Sequence, residues 1–123
     1  NDYEISLIEK KLKTNHSELL KLCPVVITTL GGKGSIIEIA GRKMFIPSAK
    51  PKKVVDPTGA GDAYRGGFLA GYLRGLDLKI CGQMGAVAAA YTVEKYGTVT
   101  HTFEKTDFIK RYKQNYKENL VLT

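Results

Sequence analysis

Residues Asp56 to Asp62 read Asp-Pro-Thr-Gly-Ala-Gly-Asp, a glycine-rich turn that ends on a carboxylate. The run leads straight into an apolar, small-residue helical segment, Ala63 to Leu73. Gly59 and Gly61 permit positive φ and close approach of a ligand to the backbone. A helix starting here aims free N–H groups and the positive end of its dipole at whatever lies above the turn. Holding phosphate alone would not call for Asp62, itself an anion. A carboxylate beside an anion hole suits a reaction in which it accepts a proton from an attacking hydroxyl while main-chain amides steady phosphoryl oxygens. A plain N-capped helix after a tight turn uses the same residue types.

Two further stretches have matching chemistry. Val25 to Leu30 is a β-branched apolar run bounded by Pro24 and Gly31, which reads as a buried strand. It empties into Thr29-Leu30-Gly31-Gly32-Lys33-Gly34, a second glycine-rich turn whose amides can line a polyphosphate, with Lys33 as a point charge or a solvated loop residue. The Gly-Lys-Ser/Thr ending of a Walker A loop is missing. Asn1-Asp2-Tyr3-Glu4 puts an amide and a carboxylate three residues apart, on one face of a helix. Such a pair suits a hydrated Mg²⁺ bridging phosphates, and equally a helix start with acidic residues in its first turn.

Together and in this order, these residues resemble the ribokinase-type (PfkB) family of carbohydrate and purine kinases. Asn1 to Glu4 matches its Asn-x-x-Glu element, Thr29 to Gly34 its Thr-x-Gly phosphate turn, and Asp56 to Asp62 its signature ending Gly-Ala-Gly-Asp. The resemblance runs from Asn1 to about Tyr112. It implies an α/β chain, the C-terminal part of a ribokinase-like three-layer α/β/α fold, with residues 1–123 as the ATP-binding and catalytic portion and the N-terminal part absent. It makes Asp62 the base and Gly59, Ala60 and Gly61 the anion hole. Asn1 and Glu4 become the Mg²⁺–phosphate network, Glu4 acting through water, while Thr29, Gly31, Lys33 and Gly34 lie along the ATP. In many members Asp56 and Thr58 also belong to a monovalent-cation (K⁺) site completed by a later loop, here near Lys95 to Gly97. The implied partners are ATP, a nucleoside or sugar, and the missing part of the same kinase, with a homodimer left open.

Arg65 bears on the acceptor. In the first turn after Asp62 a cation opposes the helix dipole, so Arg65 either contacts transferred phosphate or is a plain surface arginine. Asp62-Ala63-Tyr64-Arg65 and Asn1-Asp2-Tyr3-Glu4 look more like bacterial adenosine and nucleoside kinases, which points to a nucleoside, adenosine first. A sugar kinase of ribokinase or fructokinase type is the alternative.

These motifs need elements to hold them. The pattern predicts helices over about Ile5–Lys13 and Ser17–Leu22, the strand Val25–Leu30, a hairpin of Ser35–Ala40 and Lys43–Ile46 with alternating faces, and a short strand Val54–Val55 delivering Asp56. Long helices follow at Gly61–Arg74 and Leu78–Lys95, with Gly97 as the glycine ending the second. A last helix, about Glu104–Tyr116, leads to a tail that should fray. Strand–helix alternation with glycine turns at strand ends indicates α/β architecture.

The two long helices carry unusually small faces, Ala63, Gly66, Gly67, Ala70 and Gly71 against Gly82, Gly85, Ala86 and Ala88 to Ala90. Helix-interior glycine costs about 1 kcal/mol against alanine, so these need a reason. Close helix–helix packing is one. A backbone-close wall for a purine base is the other, and by the resemblance Ala86 and Ala89 are its candidates. Phe68, Leu69, Tyr72, Leu73, Met84, Val87 and Tyr91 read as core.

The 123 residues carry a net charge of +7. This admits a second reading, a nucleic-acid module using Lys105, Lys110, Arg111, Lys113 and Lys117 with interleaved aromatics. Phe108 and Tyr112, however, are spaced for a helix core face, and the basic side reads as a solvated face that also attracts ATP. Cys23 and Cys81 lack a Cys-x-x-Cys companion and read as reduced, mostly buried thiols of a cytoplasmic protein. His16 reads as a surface residue, and His101 as structural or close to the nucleotide. No apolar stretch approaches the ~20 residues of a membrane span.

Overall fold

The computed structural model describes residues 1–39 and 41–122. The chain divides into two compact units, residues 1–46 and 47–123.

The first unit opens with α1 (Asp2–Leu12), followed by α2 (His16–Leu22) and three strands, β1 (Val25–Thr29), β2 (Ser35–Ile39) and β3 (Arg42–Ile46). The helix starts are set by side-chain caps: Asn1 Oδ1 accepts the Glu4 N–H at 2.8 Å, and Asn15 Oδ1 accepts the Glu18 N–H at 3.0 Å. The strands form an antiparallel meander in the order β1-β2-β3, with Val25 opposite Ile39 and Ser35 opposite Ile46. The predicted hairpin is present, although Ala40 lies outside the described residues. Ile37, Ile46 and Leu19 are buried in this unit. The alternation fails at Glu38, which is buried rather than outward-facing. It is tolerated because Lys43, its cross-strand partner, places Nζ 3.0 Å from Oε1 and His16 Nε2 lies 2.7 Å from Oε2. β1 is half-buried along most of its length, with Thr28 its one buried residue, rather than buried throughout as the apolar run suggested.

The second unit contains α3 (Ala60–Tyr72), α4 (Leu78–Val93) and α5 (Lys105–Tyr116). Close packing accounts for several of the small residues. A Cβ on Gly67 would meet Met84 O at 2.7 Å and the Ala88 Cβ at 2.9 Å, and one on Gly85 would meet Tyr64 O at 2.7 Å. Two backbones can approach this closely only without side chains between them. Gly66 has nothing within 4 Å and plays no such part. Cys81 to Ala88 are buried without interruption on α4, and Phe108 and Tyr112 bury one face of α5.

Several expectations are corrected. Val54–Val55 forms no strand: the Val55 N–H spends itself on Val93 O at the end of α4, 2.7 Å away, instead of on a ladder. Gly97 has φ 82° but follows the helix C-cap, Glu94, by three residues, so it shapes the next loop rather than ending α4. Leu69, Tyr72 and Leu73 are exposed, because α3 turns its Gly67 and Gly71 side to α4. Cys23 is exposed, just past the end of α2, while Cys81 is buried. The tail is docked: Leu120 is buried, Lys79 and Glu118 pair at 2.6 Å, and Lys105 Nζ donates to Leu122 O at 2.5 Å. Arg111 leaves the basic face altogether. It is buried, pairs with Glu94 at 3.0 Å and stacks 3.8 Å over the Tyr91 ring.

Candidate active site

The turn at Asp56–Asp62 is fastened from both sides. The Asp56 N–H joins that of Val55 on Val93 O, at 3.2 Å. The Asp56 side chain then acts as a clamp, Oδ1 accepting the Thr58 N–H at 2.9 Å and Oδ2 accepting the Gly97 N–H at 3.1 Å. Hydrogen bonding from Thr58, side chain first and amide second, and then from the Gly97 amide, holds the Asp56 carboxyl below the usual carboxylate range. Gly59 takes φ 81°, and a Cβ there would press to 3.0 Å of the Thr98 backbone, so conformation and space both require glycine. Gly61 lies in the α-helix, without the positive φ anticipated for it, and the space beside its Cα is open.

Helix α3 therefore starts without a side-chain cap. The Ala60 N–H turns back to Pro57 O at 3.2 Å and the Ala63 N–H reaches Gly59 O at 3.0 Å. Between them, the Gly61 and Asp62 N–H groups belong to the first turn, which has no intrahelical acceptor for them. The capped-helix account of the motif thus lacks its cap. Asp62 stands in the open, with its side chain 77% exposed, and its Oδ1 lies 2.6 Å from Nη1 of Arg65, 68% exposed. That pair answers the question of where Arg65 points: along the helix surface to Asp62.

In the first unit, Thr29–Gly34 is the connection between β1 and β2, tightened by a 3₁₀ turn over Gly31–Lys33. Gly31 at φ 58° and Gly34 at φ 115° supply its backbone geometry. Leu30, Lys33 and Gly34 N–H groups bond within the loop, to Gly34 O, Leu30 O and Gly31 O. Gly31 and Gly32 leave open space where a side chain would sit, and Lys33 is exposed. Asn1 and Glu4 come together as a capping box, with Glu4 Oε2 2.6 Å from the Asn1 nitrogen. Both are exposed on the first turn of α1. On α4, Ala86 is buried and Ala89 half-buried, which makes Ala89 the more accessible of the two. Among the described residues, no three His, Cys, Asp or Glu side chains gather as a metal-ion cluster.

Sequence reasoning undervalued the loop after α4. Gly97 and Thr98 hold the Asp56–Gly59 turn from the other side, through a backbone amide and a van der Waals wall. A lone glycine in an undistinguished loop gave the only signal. Glu94 was missed as well: its Oε1 accepts the Lys52 N–H at 2.6 Å and its carboxylate pairs with Arg111, joining the connector, α4 and α5. His16 was read as a surface residue, yet it is half-buried between Glu9 and Glu38.

The pfkB family carbohydrate kinase description matches residues 1–105. The chain is 42% identical over 101 residues to a nucleoside kinase of Methanocaldococcus jannaschii, covering 82% of this chain and 33% of that protein. The crystal structure of the nucleoside kinase from that organism, an archaeal member of the ribokinase family, superimposes with TM-score 0.85 and 38% identity, over 91% of this chain and 38% of that one. A Burkholderia thailandensis nucleoside kinase in complex with inosine gives TM-score 0.94 at 28% identity, over 98% of this chain and 40% of that one. The chain spans about a third of the length of the curated relatives it matches. Its fold is a portion of the ribokinase-like α/β architecture, and the chain belongs to the pfkB family of carbohydrate kinases.

Proposed function

We propose that this chain is the ATP-binding and catalytic portion of a kinase that moves the γ-phosphoryl group of ATP to the hydroxymethyl group of a nucleoside, adenosine first. The single observation that carries the reading is the uncapped start of α3, with an exposed carboxylate on its first turn. Asp62 takes the acceptor hydroxyl's proton as the new bond to phosphorus forms. The first-turn N–H groups after Gly59, with Ala60 and Gly61 forming the turn, stabilise charge that builds on the equatorial oxygens. Arg65 balances Asp62 in the free enzyme and is placed to follow the transferred phosphate. To nucleotide binding we assign Asn1, Glu4, Thr29, Gly31, Lys33 and Gly34 in the first unit and Ala86 and Ala89 in the second. An exposed carboxylate and an exposed amide sharing the first turn of α1 fit a Mg²⁺ held through water at Glu4. That ion, when bound, offsets phosphate charge. Asp56 and Thr58 suit a monovalent cation only with oxygens from the loop near Lys95 to Gly97, whose Gly97 amide bonds the Asp56 carboxylate.

The likeness to nucleoside kinases, one of them in complex with inosine, supports a nucleoside over a sugar acceptor. The test is a comparison of kcat/KM for adenosine, inosine and cytidine against ribose and fructose in the complete kinase. Preference for a purine nucleoside is expected; strong preference for a free sugar would overturn the acceptor assignment.

A further inference from the structure

We propose that His16 is a positioning residue of this kinase: as a doubly bonded imidazolium it clips α1, and with it Asn1 and Glu4, to the sheet whose first hairpin is the Thr29–Gly34 turn. The proposal rests on the reading that Asn1, Glu4 and that turn serve the nucleotide.

The geometry is specific. His16 opens α2, and its two ring nitrogens face two carboxylates from different elements. Nδ1 lies 3.0 Å from Glu9 Oε1 on α1, and Nε2 lies 2.7 Å from Glu38 Oε2 on β2. A neutral imidazole has one N–H and can donate to only one of them. Serving both requires the ring to carry both protons. Lys43 of β3 is the other charge in the cluster, an ion pair with Nζ 3.0 Å from Glu38 Oε1. The carboxylate of buried Glu38 is thus held at Oε2 by His16 and at Oε1 by the Lys43 ion pair, and only the His16 arm also reaches α1. Glu18 and Lys21, on α2 itself, pair with each other in solvent.

The consequence for α1 follows from helix geometry. Glu9 is five residues from Glu4, about 7.5 Å along a rigid helix at 1.5 Å per residue. Fixing one end fixes the other. Hydrogen bonding to Glu38, opposed by burial and aided by Glu9, raises the His16 pKa above its ordinary 6.5. A raised folded-state value means that the clip is complete below pH 6.5 and is lost as pH climbs through that higher value.

The experiment uses the complete kinase with His16→Gln and Glu9→Gln, the second removing the more exposed partner without touching the buried one. NMR titration of the imidazole nitrogens reads the clip directly. A His16 midpoint above 6.5, lowered in Glu9→Gln, is expected; a midpoint at or below it overturns the clip. KM for MgATP and kcat are then followed from acid to alkaline pH. Wild-type KM should rise several-fold through the His16 midpoint with kcat little changed, while His16→Gln shows the raised, flat profile throughout. A confirmed clip with parallel KM profiles overturns the positioning role. A kinase without nucleoside activity would defeat the functional reading and leave the titration result standing.

Discussion

At the residue scale, the difference between Asp56 and Asp62 is the most instructive. Both are aspartates of one motif, yet one is clamped by amides and the other stands in solvent beside Arg65. Asp56 works on the loop: with a pKa depressed from 3.8, its hold on Thr58 and Gly97 is present above that value and lost as pH falls through the lower, folded-state one. The Gly97 amide resonance should therefore titrate with a midpoint below 3.8, and a midpoint at or above it would show that the clamp is not ionic. Arg65→Ala removes an exposed i,i+3 pair, so stability should move by less than about 0.5 kcal/mol. Turnover should nevertheless fall, since the cation nearest Asp62 is gone; unchanged kcat would make Arg65 a bystander. The motif residues were legible because glycine, aspartate and their spacing are chemical statements. Arg111 was not, because its partner Glu94 is remote in sequence and helical spacing alone placed it on a basic face.

At the scale of elements, the pairing of α3 with α4 is where small residues are required. Gly85→Ala would drive a methyl to 2.7 Å of the Tyr64 carbonyl, and Gly67→Ala would do the same at Met84 O. Each should cost about 1–3 kcal/mol by overpacking. Gly66→Ala has open space and removes a helix-interior glycine, so it should stabilise by roughly 0.5–1 kcal/mol. Urea denaturation of the three variants checks this, and equal effects at 66, 67 and 85 would refute the packing account. The helices and the hairpin were legible from periodicity and turn residues to within a residue or two at most ends. The Val54–Val55 strand was not, because β-branched residues need a ladder and here the Val55 N–H finds a helix carbonyl first. The apolar side of α3 at Leu69, Tyr72 and Leu73 is exposed because the glycines, and not hydrophobicity, set which face meets α4.

At the scale of the molecule, the chain spans about a third of the archaeal nucleoside kinases it matches and carries many exposed large apolar side chains. Tyr3, Leu7, Ile8 and Leu12 on α1, and Leu69, Tyr72 and Leu73 on α3, are among them. We expect purified residues 1–123 to bind an apolar dye and to associate, because exposed apolar patches of this kind mark contact surfaces. A cooperatively folded, dye-silent monomer would contradict that. The α/β class was legible from strand–helix alternation, whereas the only sheet among the described residues is an antiparallel meander in the first unit, which alternation alone does not foretell. For the kinase as a whole, the most direct measurement is kcat of Asp62→Asn with adenosine and MgATP at saturation, alongside ATP affinity. Turnover reduced by at least about 10²-fold with ATP affinity nearly intact is the predicted result. Near-normal turnover would remove Asp62 from the chemistry and the account with it.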